Sequence, residues 1–314
     1  MNFNITLLIP AYNEETTISR ALNSVYNQNL PENYKLDVIV LNNGSVDNTL
    51  NKCKKIISKF NKNQINFYVQ DVKEANKGNA LNVGLSKTSN EIVCYMDADA
   101  KLESNTIFLT TKMLFEDKKL QLVGALDIPL LEMLKPSTLL YDFQKVQQIS
   151  REERGRVIPC GRYICFRKSS IKEFPTNIHS EDTWLGLTIA KYYGWSTVKV
   201  LMEAKVYFTP PKNWLDFIKQ QSRFERGFEQ LVEKFPELEA VWENRRTESS
   251  FNLSKDEIKS RIIERLQMEG IKDARYSQYY DIINEIFVET SESLSKNLIN
   301  DNGKWDPILS TKTI

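Results

Sequence analysis

The sequence predicts an α/β fold: a mostly parallel sheet flanked by helices, followed by a helical C-terminal extension. Three observations carry that expectation. Short apolar runs alternate with helical patterns through the first hundred residues. Polar side chains cluster directly after those runs. From Asn213 onward the apolar residues recur almost throughout at helical spacing.

The elements follow in order. Ile5–Ile9 is a buried-strand candidate ended by Pro10, and Ile18, Ala21, Leu22 and Val25 mark a helix within Glu14–Asn27. Leu36–Leu41 is a second strand closed by Asn42-Asn43-Gly44-Ser45, with Asp47 placed to cap a helix through Thr49–Phe60. Ile65–Gln70 is a third strand, followed by a helix from about Gly78 to Lys87. Glu91–Asp99 supplies a fourth strand with two carboxylates at its end. Such alternation implies right-handed crossovers and a parallel, helix-covered sheet. Ligands sit beyond the carboxyl ends of such strands, which brings Tyr12, Asn13, Glu14, Asn42, Asn43, Asp97 and Asp99 toward one crevice.

Between Leu122 and Tyr207 the pattern is less regular. Val123–Ile128, Tyr163–Phe166 and Thr197–Leu201 read as strands, and Thr183–Tyr193 as a helix. Farther on, Ile258, Ile262, Ile263 and Leu266 form one apolar stripe, and Tyr280, Ile283, Ile286 and Phe287 another. The expected division is a catalytic domain over 1–228 and a helical extension over 229–314.

Composition narrows the function. A net charge of +1 predicts neither nucleic acid nor an anionic membrane as partner. Residues 1–228 carry +6 and the remainder −5, so the tail is distinctly acidic. The four cysteines, at 53, 94, 160 and 165, show no metal or disulfide spacing, and one histidine, His179, excludes a zinc site of several imidazoles. No apolar run reaches about 18 residues. A cytoplasmic chain with reduced thiols and no membrane span is expected.

Asp97 and Asp99, two apart on an extended chain, point the same way about 7 Å apart by the strand rise. Carboxylate oxygens of this kind suit Mg²⁺ or Mn²⁺ together with substrate phosphates. On spacing alone, a solvated strand end with two capping acids is the better reading. Glu181-Asp182 opens a helix; it can hold a general base, although in isolation two helix-capping acids are favoured. Gln220, Arg223 and Gly227 share a helix face with Phe224 beside it, where an Arg fork can clamp a diphosphate. An ordinary amphipathic helix has the same pattern. The segment Asn76–Asn82 lacks the spacing of a phosphate-binding P-loop, and no GxGxxG occurs.

In order along the chain, Ile9–Glu15, Val40–Thr49, Asn76–Leu85, Met96–Ala100, Ser180–Gly186 and Gln220–Gly227 resemble the motifs of the inverting glycosyltransferases of family 2, which have the GT-A fold. The last three look like the family's DxD, ED and QxxRW elements. The resemblance runs from Leu7 to about Gly227. It implies transfer of a sugar from a nucleotide-diphosphate donor, UDP-sugar favoured, to a glycan, lipid-linked glycan, peptide or small molecule. It implies that Pro10, Ala11 and Tyr12 line the nucleobase pocket, with Glu14 near the ribose and Asn43 on the base edge. Lys77 would lie near the phosphates, Asp97 and Asp99 would hold Mg²⁺ or Mn²⁺, and Gln220 and Arg223 would close over the diphosphate. Asp182 would be the catalytic base, with Glu181, Trp184, Gln220 and Phe224 shaping the acceptor site. Asn42 and Asn43 stand where the family usually carries Asp, and Phe224 replaces its Trp.

Two other classes compete. A nucleotidyltransferase would want a Gly- and Arg-rich loop after the first strand, where this chain has Ala11–Glu15. A transferase-derived binding protein would not need the DxD, ED and QxxR segments it retains. The acidic tail is expected either to mediate homo-oligomerisation or acceptor docking, or to pack as a helical layer on the catalytic domain. Peripheral membrane contact remains compatible with the absence of a span.

Overall fold

The first strand explains the architecture. In β1 (Phe3–Ala11), Ile5, Leu7 and Ile9 enter one core cluster while Leu8 enters a second on the opposite face. A strand buried on both faces needs helices above and below, and the chain supplies them alternately. The order is α1 (Ile18–Tyr26), β2 (Tyr34–Asn43), α2 (Thr49–Ile57), β3 (Ile65–Val72), α3 (Lys77–Ser86) and β4 (Ile92–Met96). Then come β5 (Lys101–Leu102), α4 (Thr106–Glu116), β6 (Leu122–Pro129), α5 (Leu139–Arg154), β7 (Tyr163–Arg167) and α6 (Glu181–Tyr193). The described chain continues through β8 (Val198–Phe208), α7 (Trp214–Lys234) and α8 (Glu237–Glu248). This computed structural model describes residues 2–136, 138–154 and 158–248, together with 260, 261, 263–265, 268 and 311.

Among the described residues one eight-stranded sheet runs β3-β2-β1-β4-β7-β6-β8-β5. The expected parallel sheet holds for β3, β2, β1 and β4, with Ala11 opposite Asn42 and Asn42 opposite Asp71 at the carboxyl ends. The second half departs from it. β7 is antiparallel to both β4 and β6, β5 is antiparallel to β8, and β6 and β8 are parallel, so the sheet is mixed. The reversal has a local consequence. Because β7 begins where β4 ends, Gly161 and Arg162 enter beside Asp97, whose N–H donates to the Arg162 carbonyl at 3.3 Å.

One core cluster is covered by Ile18, Leu22 and Val25 of α1 and by Ile107 and Leu114 of α4. The other is covered by Leu81 and Leu85 of α3, Leu185 and Ile189 of α6, and Leu238 of α8. Each such side chain contributes about 1.5–3 kcal/mol on burial. α4 and α5 have no counterpart in the sequence expectations. Buried threonines at 106, 110 and 111 interrupt the apolar pattern of α4 with polar letters, yet Thr110 and Thr111 bond back to their own helix carbonyls.

α7 runs straight through the expected boundary at 228/229, so that helix belongs to both sides of the division. α8 folds back onto it, with Phe228 and Trp242 rings 4.7 Å apart. Except for Ile263, which has helical backbone, the two apolar stripes expected in the tail lie outside the described residues. No helix among the described residues is long and apolar enough to cross a membrane.

Candidate functional site

The loops after β1 and β2 are stitched together. Asn13 adopts a left-handed backbone (φ 54). Its N–H donates to Ser45 Oγ at 3.1 Å and its Oδ1 accepts from Val46 N–H at 2.9 Å. Glu14 N–H donates to Thr49 Oγ1 at 2.7 Å, and the buried Glu14 carboxylate accepts from the Thr17 hydroxyl. Pro10 and Ala11 are buried strand residues, while the Tyr12 ring is exposed above them. Asn43 Oδ1 accepts the Asn76 N–H at 2.8 Å, and Asn76 Oδ1 in turn caps α3 by accepting from Asn79 N–H at 2.8 Å. Asn43 therefore anchors the helix start that carries Lys77. Its neighbour Asn42 donates its amide to Asp71 Oδ1 at 2.7 Å.

At the centre Lys77 Nζ meets Asp97 Oδ1 at 2.9 Å and lies over the Tyr95 ring. Burial alone would lower the Lys77 pKa, but Asp97, Glu181 and Asp182 more than reverse it and hold the ammonium well above its usual value. The start of α3 reaches this position because Gly78 packs against Pro175, where an added Cβ would come within 2.2 Å of the carbonyl oxygen. Asp97 and Asp99 sit in a turn closed by Ala100 N–H donating to Asp97 O at 3.1 Å.

Across the cleft Glu181 and Asp182 open α6. Asp182 Oδ2 accepts the Gly161 N–H at 2.8 Å and its Oδ1 accepts the Thr183 N–H at 2.8 Å. A Cβ on Gly161 would stand 3.1 Å from that Oδ2, so a side chain there would push the carboxylate. Glu181 is buried, and burial raises its pKa, with Lys77 opposing. Arg223 presents from α7 with solvent at its surface, yet desolvation draws its pKa down while Asp97, Asp99 and Glu181 pull it up. It stays charged throughout. One turn further, Gly227 lies against Ser180, which lets α7 approach the start of α6 closely.

Lys77, Asp97, Asp99, Glu181, Asp182 and Arg223 thus form one electrostatic group. Phe224 is exposed and Gln220 half-buried beside Arg223 on α7. Trp184 differs from its expected place: it is buried between Phe174 and Phe235, with centroids 5.8 and 6.4 Å away, and serves the core. It stands two residues past Asp182 in sequence, as a site residue would, but this fourth residue of α6 packs into the core.

Sequence reasoning passed over several neighbours. Arg162 lies 3.6 Å from the Phe208 ring centroid and donates to buried Asp127 at 3.1 Å, which Arg151 also faces at 3.6 Å. Arg20 and Gly161 were also unmarked. No motif announces any of them: Arg162 meets Asp127 35 positions away, Arg20 reaches the Asp99 carbonyl 79 positions away, and Gly161 offers its main-chain N–H.

Ionised Glu181 costs stability in the fold. Its raised pKa means that cost is absent below the ordinary carboxylate range and grows as pH rises through the folded-state value. Glu181→Gln should therefore melt above the wild type at pH 7, with the gap closing in acid. Thermal melts of both proteins from pH 4 to 8 check this, and a gap independent of pH would contradict it.

The glycosyl transferase family 2 profile matches residues 6–173, just over half the chain. A probable glycosyltransferase, YdaM of Bacillus subtilis, is 27% identical over 246 residues, covering 74% of this chain and 56% of the relative. The poly-β-1,6-N-acetyl-D-glucosamine synthase of Staphylococcus epidermidis is 34% identical over 196 residues, 57% of this chain and 43% of the relative. The chain thus spans about half the length of these curated relatives. Among solved structures, the mannosyltransferase PcManGT of Pyrobaculum calidifontis, in complex with GDP-Man and Mn²⁺, superposes with a TM-score of 0.58 at 15% identity. That match covers 94% of this chain and 84% of that one. S. aureus TarS 1–349 in complex with UDP-GlcNAc gives 0.51 at 17% identity, covering 94% and 92%. These likenesses establish a GT-A-like fold with a mixed sheet flanked by helices. With the profile match spanning β1 to β7, the chain belongs to glycosyl transferase family 2.

Proposed function

We propose that the chain is an inverting glycosyltransferase that moves a sugar from a nucleoside-diphosphate donor to a hydroxyl on a glycan, lipid-linked glycan or peptide. One observation carries this reading. A cationic set suited to a diphosphate, Lys77 and Arg223, shares a cleft with a carboxylate, Asp182, whose two oxygens are oriented by backbone N–H groups. A UDP-sugar donor is favoured, and the synthase relative, named for poly-N-acetylglucosamine, supports an N-acetylhexosamine.

Tyr12 stacks on the base above Pro10 and Ala11, and Glu14 lies toward the ribose. Asn43 has its oxygen committed to Asn76, which leaves its amide N–H groups for the base edge. Asp97 and Asp99 fit a shared Mg²⁺ or Mn²⁺ rather than a self-contained cage. Among the described residues no three ligating side chains gather, and one Asp97 oxygen is already paired with Lys77. Two carboxylates plus diphosphate oxygens are the usual set for such a cation. When bound, it supplies neutralisation of the departing diphosphate.

The chain's own groups do the rest. Lys77 and Arg223 bind the charge that develops as the sugar–oxygen bond breaks. Asp182 takes the acceptor hydroxyl's proton from the opposite side of the anomeric carbon, so displacement is in line and configuration inverts. Gln220 and Phe224 frame the acceptor on α7, and Glu181, with its raised pKa, orients it. A thermal-shift panel of UDP-, GDP- and dTDP-sugars with and without Mn²⁺ tests this. A ligand at about 100 Kd adds about 2.7 kcal/mol of stability. We expect a rise for one base class that needs Mn²⁺; no rise with any sugar nucleotide would overturn the reading.

A further inference from the structure

Three polar side chains interrupt the apolar face of α1 and the turn after it: Arg20, Ser24 and Gln28, four residues apart. All three reach the segment that follows Asp97. Arg20 Nη2 donates to the Asp99 carbonyl at 2.6 Å, and Ser24 Oγ accepts the Leu102 N–H at 3.1 Å. Gln28 Nε2 donates to the Glu103 carbonyl at 2.7 Å, and its Oε1 accepts the Ile107 N–H at 3.0 Å. Ser24 and Gln28 are buried. Apolar burial is non-directional and tolerates sliding. A row of bonds to main-chain groups does not, so the seam fixes this segment along the helix axis.

Arg20 has a second arm. Its Nη1 donates to Thr209 Oγ1 at 2.9 Å, on the stretch between β8 and α7. One guanidinium therefore ties the turn bearing Asp97 and Asp99 to the approach of the helix bearing Gln220 and Arg223. Desolvation lowers its pKa, while the charges of Asp99 and Glu14 oppose that shift. A planar, permanently charged fork suits two fixed acceptors, which a single ammonium cannot reach together.

We propose that Arg20 is a positioning residue of the transferase, holding Asp99 for the cation-bound diphosphate and setting α7 relative to it. The proposal rests on the donor reading above. Arg20 acts through the Asp99 main chain and Thr209.

The test is calorimetry of UDP and GDP binding to the full chain at graded Mn²⁺, using whichever nucleotide the wild type binds more tightly. Groups that orient metal ligands change metal affinity by about 10–100-fold when removed. Arg20→Met should weaken apparent Mn²⁺ affinity within that range. Arg20→Lys, which keeps a donor for Asp99, should recover part of it. Ser24→Ala, which breaks the same seam farther from Asp99, should lower the melting temperature and leave Mn²⁺ affinity near wild type. If Arg20→Met does not fold, Arg20→Lys and Thr209→Val each remove one arm and decide the question. Mn²⁺ affinity unchanged in the folded Arg20 variants, or reduced equally by Ser24→Ala, would overturn the proposal. A wild type that binds neither nucleotide in Mn²⁺ would instead remove the donor reading on which it stands.

Discussion

Asp182→Asn is expected to lower sugar transfer by about 10²–10⁴ while donor binding survives. The rate loss follows from removing the carboxylate proposed to accept the acceptor's proton. Donor affinity is retained because Lys77, Arg223 and the Asp97–Asp99 turn stay in place. The geometry adds a complication that the sequence does not reveal. Both oxygens of Asp182 accept backbone N–H groups, from Gly161 and Thr183. An amide matches only one of them and turns an N–H toward the other, at a cost of about 1–3 kcal/mol. The variant should therefore melt below the wild type, and turnover must be compared well under that temperature. Paired calorimetry and single-turnover kinetics separate the effects. Near-normal turnover in a folded Asp182→Asn would return Asp182 to a helix-start acid, a part its bond to Thr183 already plays.

The parallel half of the fold was legible because a strand buried on both faces writes itself as an apolar run, as Ile5–Ile9 and Leu36–Leu41 do. Lys77, Asp97, Asp99, Glu181, Asp182 and Arg223 could each be picked out from a motif, and the structure brings them into one group. Periodicity records which face a residue occupies, but not what it meets. Nothing in the sequence told that β7 would reverse, although that reversal brings the Gly161 N–H to Asp182. Arg20 looks like a solvated residue on an amphipathic helix, since its partner Asp99 lies 79 positions away. Trp184 erred in the other direction. It stands beside the acidic pair in sequence, yet its ring volume fills the core under α6.

Asp99→Ala is the second large effect expected, and it falls on the donor rather than on proton transfer. Asp97 has one oxygen paired with Lys77, and Asp99, two residues on in the same turn, is the carboxylate proposed to share a cation with the diphosphate. A cation so placed stabilises developing phosphate charge by several kcal/mol, which corresponds to roughly two to four powers of ten in rate. Removing the Asp99 side chain leaves the Arg20 bond intact, because Arg20 holds the Asp99 main-chain carbonyl. The turn should therefore keep its shape, and the melting temperature without ligand should stay close to wild type. Nucleotide affinity should fall sharply in Mn²⁺ and differ little from wild type in EDTA. That convergence in chelator is the diagnostic, because a damaged pocket would bind more weakly under both conditions. Calorimetry of the two proteins in Mn²⁺ and in EDTA reads it directly. If Asp99→Ala retained Mn²⁺-dependent binding at wild-type strength, the shared-cation site at this turn would be wrong, and Lys77 with Arg223 would have to hold the diphosphate alone.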